Sequence, residues 1–339
     1  MATYKAEFMS HYYDGRIRPR QAYVFGLIDV WSRLAAKMPA LANFLTHGPG
    51  FSALAKAVVG IPKQRQIPQI AAESFTLTFA PAAAHKGDRP QVILWPDTFN
   101  NYYHPYTFAA AAEVLDAAGF CVRMPQRPLC CGRPLYEFGM LGLAKRRISR
   151  ILEALRNEIR AGVPVVVLEP ACASVFRDEL LNLFPANEDA KRLSSQTLLL
   201  CEFLAQKAPD FVPPQLPRKA LVHGHCHHKN ILNMSGEQHL LDKLGLDYEV
   251  LDSGCCGMAG SFGFEKDKHA ISMACAERVL LPAVRQAAED TLIIADGFSC
   301  REQIAQCTER RATHIAEIMQ LALRQERTTS ARAVHQQCG

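Results

Sequence analysis

The chain has 339 residues, 49% of them hydrophobic, and a formal net charge of +5. That length accommodates roughly two domains with well-buried cores, and the apolar content argues against disorder. The small charge, with no basic stripe interleaved with aromatics, excludes nucleic acid as a partner, and no run of ~18 apolar residues offers a transmembrane segment.

The first 75 residues read as a helical connector or docking segment. Apolar residues recur at helical spacing over 22–38, as in Trp31, Leu34 and Ala35, and again over 51–59. Gly48-Pro49-Gly50 and Ile61-Pro62 break these stretches. Lys5, Glu7 and Asp14 fall where a signal peptide has its apolar core, so none is expected. The abrupt start suggests that something precedes this segment in a longer polypeptide.

From residue 89 the pattern changes to short apolar runs alternating with longer helical stretches. Strands are expected at 91–95, 120–124 and 164–168, with helices at 107–118 and 141–161. After Pro213, Pro214 and Pro217 the pattern returns, with strands at 219–222, 248–251 and 291–295 and helices at 236–244 and 266–287. Alternation of this kind implies α/β lobes with parallel sheets. The expected organisation is a first lobe at 89–212, a second at 218–325 and a flexible tail at 326–339.

Twelve cysteines are many for such a chain. Without a secretion signal they point to a reducing compartment, the cytoplasm or the cytoplasmic face of the inner membrane, and to metal or redox ligation rather than disulfides. Cys130-Cys131-Gly132 recurs as Cys255-Cys256-Gly257, an offset of 255 − 130 = 125. Cys172 and Cys300 each follow a corresponding strand, at 300 − 172 = 128. Two features repeating nearly in register make the chain a tandem of similar lobes that should superpose.

In the second lobe, Cys226, Cys255, Cys256 and Cys300 each lie just past an expected strand. Loops at strand C-termini share one edge of a parallel sheet, so four thiolates converge there, a ligand set for an iron–sulfur cluster or for zinc. Gly254, Gly257, Gly260 and Gly263 allow backbone N–H groups to approach sulfur. A helix starting near Glu265 is expected to aim its N-terminus at the site, with Lys229 and Arg301 either offsetting its charge or lying on the surface. The first lobe offers Cys130, Cys131 and Cys172, and residues 96–101 contain no cysteine to match Cys226. That lobe holds a different site or none. Cys121, Cys201 and Cys275 read as core thiols, Cys307 lies two helical turns from Cys300, and Cys338 sits in the polar tail. In His223-Gly224-His225-Cys226-His227-His228, Cys226 is preferred as the ligand, with the histidines supporting it or facing solvent. No Walker loop, GxGxxG turn or nucleophile elbow occurs, so no catalytic residue is assigned.

The segments CCGRPLYEFG (130–139), EPAC (169–172), HGHCH (223–227), CCGMAGSFG (255–263) and DGFSC (296–300) carry a family likeness. Over residues 90–323 the chain resembles the cysteine-rich CCG domains of iron–sulfur oxidoreductases. These include the CCG-bearing component of heterodisulfide reductase, the iron–sulfur subunits of glycolate oxidation and lactate utilisation, and anaerobic glycerol-3-phosphate dehydrogenase. It is also similar to the C-terminal part of fusion proteins that carry an FAD-linked oxidase domain and a ferredoxin-like domain, with residues 5–31 resembling their connector. The family's fullest pattern has a leading Cys, a Cys-Cys pair and a closing CxxC in each lobe. Here both closing motifs keep one Cys, and the first lobe lacks its leading one. The resemblance therefore implies a single [4Fe-4S] cluster in the second lobe, with zinc as the alternative, and FAD carried by a partner domain or subunit. It implies an electron-transfer module of a flavin-linked dehydrogenase of D-lactate, glycolate or D-2-hydroxyglutarate, delivering electrons to a downstream acceptor. A thiol–disulfide (heterodisulfide) reductase component and a zinc-stabilised interaction domain are the competing readings.

Overall fold

The structure, a computed structural model, describes residues 2–79 and 89–337. Two parallel sheets organise it. The first has β1 (Gln91–Leu94), β2 (Cys121–Arg123), β3 (Val165–Val167) and β4 (Thr197–Leu199) in the order β2-β1-β3-β4. The second has β5 (Lys219–Val222), β6 (Asp247–Val250) and β7 (Leu292–Ile294) in the order β6-β5-β7. The arrangement is thus α/β with two similar sheets behind an N-terminal helical segment. Three valines form β3 because helices cover both of its faces, so no position in it needs to be polar. Edge strand β6 instead alternates exposed and half-buried residues.

The registers reveal the duplication. Gln91 pairs Cys121 in the first sheet, and Lys219 pairs Asp247 in the second. Ile93 pairs Val165, and Leu221 pairs Ile293. The central strands are therefore offset by 219 − 91 = 128, and β3 and β7 by 293 − 165 = 128. Strand β4 has its counterpart in a single parallel bridge from Ile294 to Thr313.

One apolar core runs through both sheets. Val92, Leu94, Phe108 and Val166 of the first lobe pack with Ala220, Val222, Ile294 and Ile315 of the second. Helix Ile315–Gln337 lies along helix Pro105–Ala117. Its course to Gln337 replaces the tail expected from residue 326. Cys338 lies outside the described residues.

Other elements differ from expectation. Residues 197–207, for which no element is expected, form strand β4 followed by helix Leu200–Lys207. The stretch 266–287 divides into His269–Ala276 and Leu280–Gln286. Pro282, lacking an N–H, cannot bond back to residue 278, so the helix restarts there. No helix starts at Glu265; a single 3₁₀ turn, Phe262–Phe264, precedes it. The stretch 141–161 divides into Leu141–Ala154 and Arg156–Arg160.

Candidate metal centre

Every strand that leads to a cysteine loop ends at the same seam between the lobes, facing a cavity of about 960 Å³. Cys130, Cys131 and Cys172 border it from the first lobe, and Cys226, Cys255 and Cys256 from the second. Cys300 lies behind them, fully buried. None of Cys121, Cys201, Cys275 and Cys307 borders this cavity. Cys201 is buried, whereas Cys121, Cys275 and Cys307 are half-buried.

In the second lobe the four cysteines act on one another in sequence, Cys226 with Cys255, Cys255 with Cys256 and Cys256 with Cys300. Cys255 is held far below the usual thiol range by the bonds from Cys226 and Cys256, and by the N–H groups of Gly257 and Ala259. The Gly257 N–H stands 3.3 Å from its sulfur. Cys300 is brought down to about 6, chiefly by the bond from Cys256 and then by His223 against the opposing effect of burial. Cys226 and Cys256, the donors, are pushed up. Two of the four sulfurs are therefore stabilised as thiolates, the form that binds metal. Gly257 has φ +88°, and a Cβ there would collide with the Ser272 carbonyl. Gly132, its counterpart in the first lobe, has φ +82°. The glycine of each CCG motif is thus required by a left-handed turn.

The first lobe differs in charge. Cys131 and Cys172 sulfurs lie 2.9 Å apart. Cys130 is raised by its bond with Cys131 and by burial. In Cys172 the bond from Cys131 pulls downward, but burial, Asp97 and Glu169 prevail and push it up to about 11. Three protonated thiols result. With the 128-residue offset of β1 and β5, the position matching Cys226 is Thr98, whose hydroxyl lies 4.0 Å from the Cys130 sulfur.

Residues beside the cysteines bind the lobes together. Glu169 accepts the N–H of Ala171 (3.2 Å) at the start of the Cys172 helix, and the N–H of Phe298 (2.8 Å) at the start of the Cys300 helix. Burial, then Asp97, raise its carboxyl to about 8. Arg133 reaches Glu137, Glu179 and, at 2.9 Å, His227 Nε2. Burial and that guanidinium lower His227 to about 4. Arg301 is buried rather than superficial and donates to Asn100 (2.6 Å) and Thr107 (3.0 Å). Lys229 turns its ammonium to the carbonyls of Leu251 (3.0 Å) and Ser253 (2.7 Å). His228 is buried 3.1 Å from Glu237.

The sequence alone does not single out His223 as a ligand. It is 2% exposed, and one of its ring nitrogens, Cys256 Sγ and Cys300 Sγ lie within 4.8 Å of one another. Its place near Cys226 is the only sequence signal, diluted by three neighbouring histidines.

Residues 221–305 match the cysteine-rich domain family designated CCG. The chain is 28% identical over 319 residues to a component of the anaerobic glycerol-3-phosphate dehydrogenase of Escherichia coli, covering 92% of this chain and 79% of that one. It is 31% identical over 225 residues to lactate utilization protein A of Bacillus licheniformis, covering 62% of this chain and 90% of that one. Similarity to D-2-hydroxyglutarate dehydrogenase of Pseudomonas putida is 25% over 330 residues, 93% of this chain but 32% of that protein.

Proposed function

This chain belongs to the family of cysteine-rich CCG domain proteins, and on that premise we propose that it is the iron–sulfur electron-transfer module of a flavin-linked 2-hydroxyacid dehydrogenase. The observation that carries the reading is the convergence of four cysteines in the second lobe, Cys226, Cys255 and Cys256 bordering one cavity and the Cys300 sulfur lying within 4.8 Å of that of Cys256. Such a donor set fits a [4Fe-4S] cluster better than the three protonated thiols of the first lobe do. Cys226, Cys255, Cys256 and Cys300 would hold the cluster, which when bound supplies one-electron acceptance and release. The protein's own part is to fix those sulfurs on three strand-end loops and to shield Cys256 and Cys300 from water.

Hydride removal from a hydroxyacid belongs to a flavin, which we assign to a partner domain or subunit. The docking face we propose lies on the N-terminal helices, where Trp31, Leu34, Phe44, Leu54 and Val58 are exposed. Apolar residues gathered on one segment in this way mark an interaction surface. No described helix is long and apolar enough to cross a membrane. The free thiols suit a reducing compartment, the cytoplasm or its membrane face.

Anaerobic reconstitution with iron and sulfide tests the reading. The expected result is a visible charge-transfer band with matching iron and sulfide, bleached by reduction and lost in both Cys255→Ser and Cys300→Ser. A colourless chain that retains zinc overturns it. Reduction of a disulfide substrate by the isolated chain would instead favour the thiol–disulfide role.

A further inference from the structure

Carrying the 128-residue offset of the central strands one step past their ends pairs Trp95 with His223, as it pairs Thr98 with Cys226. In the first lobe Trp95 is fully buried against Phe176, ring centroids 4.9 Å apart, and fills its space as an apolar plug. In the second lobe the same position holds an imidazole. The two lobes thus differ at two donor positions, and both differences add a metal-binding atom to the second.

The His223 ring is fixed from behind. Its Nδ1 stands 2.7 Å from the Ser253 hydroxyl, and the Ser253 carbonyl is held by Lys229 Nζ at 2.7 Å. Nε2 is buried with no hydrogen-bond partner. The ring also stands beside the sulfurs of Cys256 and Cys300, one ring nitrogen and both sulfurs lying within 4.8 Å of one another. An unpaired ring nitrogen in a buried site is costly. With the proton on Nδ1 and donated to Ser253, Nε2 is left free to bind a cation held by the neighbouring sulfurs. Metal-bound histidines are held in this way, by a hydrogen bond at the other ring nitrogen.

We propose that His223, through its free Nε2, is a metal ligand of the second-lobe centre beside Cys256 and Cys300. The assignment rests on the reading that this lobe carries metal, and it extends that reading to the donor set. It also accounts for the asymmetry between the lobes, since Trp95 and Thr98 deny the first lobe both of the extra donors.

The test uses the whole chain, reconstituted anaerobically with iron and sulfide, with natural-abundance or ¹⁵N-labelled histidine. Pulsed EPR of the reduced protein is expected to show one strongly coupled nitrogen that changes from ¹⁴N to ¹⁵N on labelling. The coupling should vanish in His223→Ala and persist in His225→Ala and His227→Ala. The labelling comparison needs no variant, so a folding defect in His223→Ala leaves the test intact. If the chain takes up zinc instead, X-ray absorption should resolve one metal–nitrogen distance of about 2.0–2.1 Å beside the metal–sulfur shell at about 2.3 Å. A fully loaded centre with only sulfur neighbours, or a coupling that survives His223→Ala, overturns the assignment and leaves the metal-centre reading standing. A chain that takes up no metal overturns both.

Discussion

Glu169→Gln isolates the electrostatics of the seam between the lobes. Glu169 is 4% exposed and joins the N-termini of the helices that carry Cys172 and Cys300. Its carboxyl is raised from 4.5 to about 8 by burial first and then by Asp97. Between those two values the folded chain keeps a proton that the unfolded chain has released. Its contribution to stability is therefore fully present below about pH 4.5, falls as pH rises, and is gone above about 8. At about 1.4 kcal/mol per unit, a rise from 4.5 to about 8 corresponds to about 5 kcal/mol, as a ceiling. Gln keeps one carbonyl oxygen but turns an NH2 group toward the second backbone N–H, so at pH 5 the variant should be less stable than the wild type by about 1–3 kcal/mol. By pH 9 the variant should have gained several kcal/mol relative to the wild type. Urea titrations of the metal-free, reduced chain, followed through the fluorescence of buried Trp95, read this difference directly. A wild-type-minus-variant difference that stays constant from pH 5 to 9, or that moves in the wild type's favour as pH rises, would refute the reasoning.

Arg301→Met removes a buried guanidinium bonded to Asn100 and Thr107, and should cost about 3 kcal/mol in the same titration; an unchanged midpoint would count against a structural role. Thr98→Cys restores a thiol 128 residues before Cys226, next to Cys130, and should raise the iron bound per reconstituted chain; unchanged iron content would show that the first lobe lacks more than its leading sulfur. Trp31→Glu combined with Leu54→Glu places charge on the exposed N-terminal face and should weaken association with a flavin-bearing partner at least about tenfold, measured by calorimetry, with the visible band of the chain intact.

The parts of the fold that could be read in the sequence are those whose burial is uniform. Residues 165–167 are all valine because a strand covered on both faces has no polar position to betray a different period. Strand β4 could not be read in the same way. Its three residues run straight into the apolar start of helix Leu200–Lys207, and so short a segment has no measurable period. The repeated CCG pair was legible because a left-handed glycine and adjacent thiols leave a fixed spelling. The equivalence of Trp95 with His223 was not, since the two side chains share no chemistry and only strand register aligns them. Arg301 resembled a surface charge because its partners, Asn100 and Thr107, lie about two hundred residues away in the other lobe.

The seam also explains why the cysteines have the neighbours they do. Arg133 follows Cys130-Cys131-Gly132, Glu169 precedes Cys172, His227 follows Cys226 and Arg301 follows Cys300, and each of the four bonds to the opposite lobe. A residue beside a strand-end ligand necessarily faces the other sheet's strand ends, because both sets of loops border one cavity. Those bonds are buried or half-buried and partly charged, so opening the seam would strand several polar groups at once, each at about 1–3 kcal/mol. Such a seam resists hinging. Glu169 ties the two sites together by bonding to the N-termini of both cysteine-bearing helices. The first lobe, through Cys130, Cys131 and Cys172, forms the wall of the cavity that faces Cys226, Cys255 and Cys256 of the second.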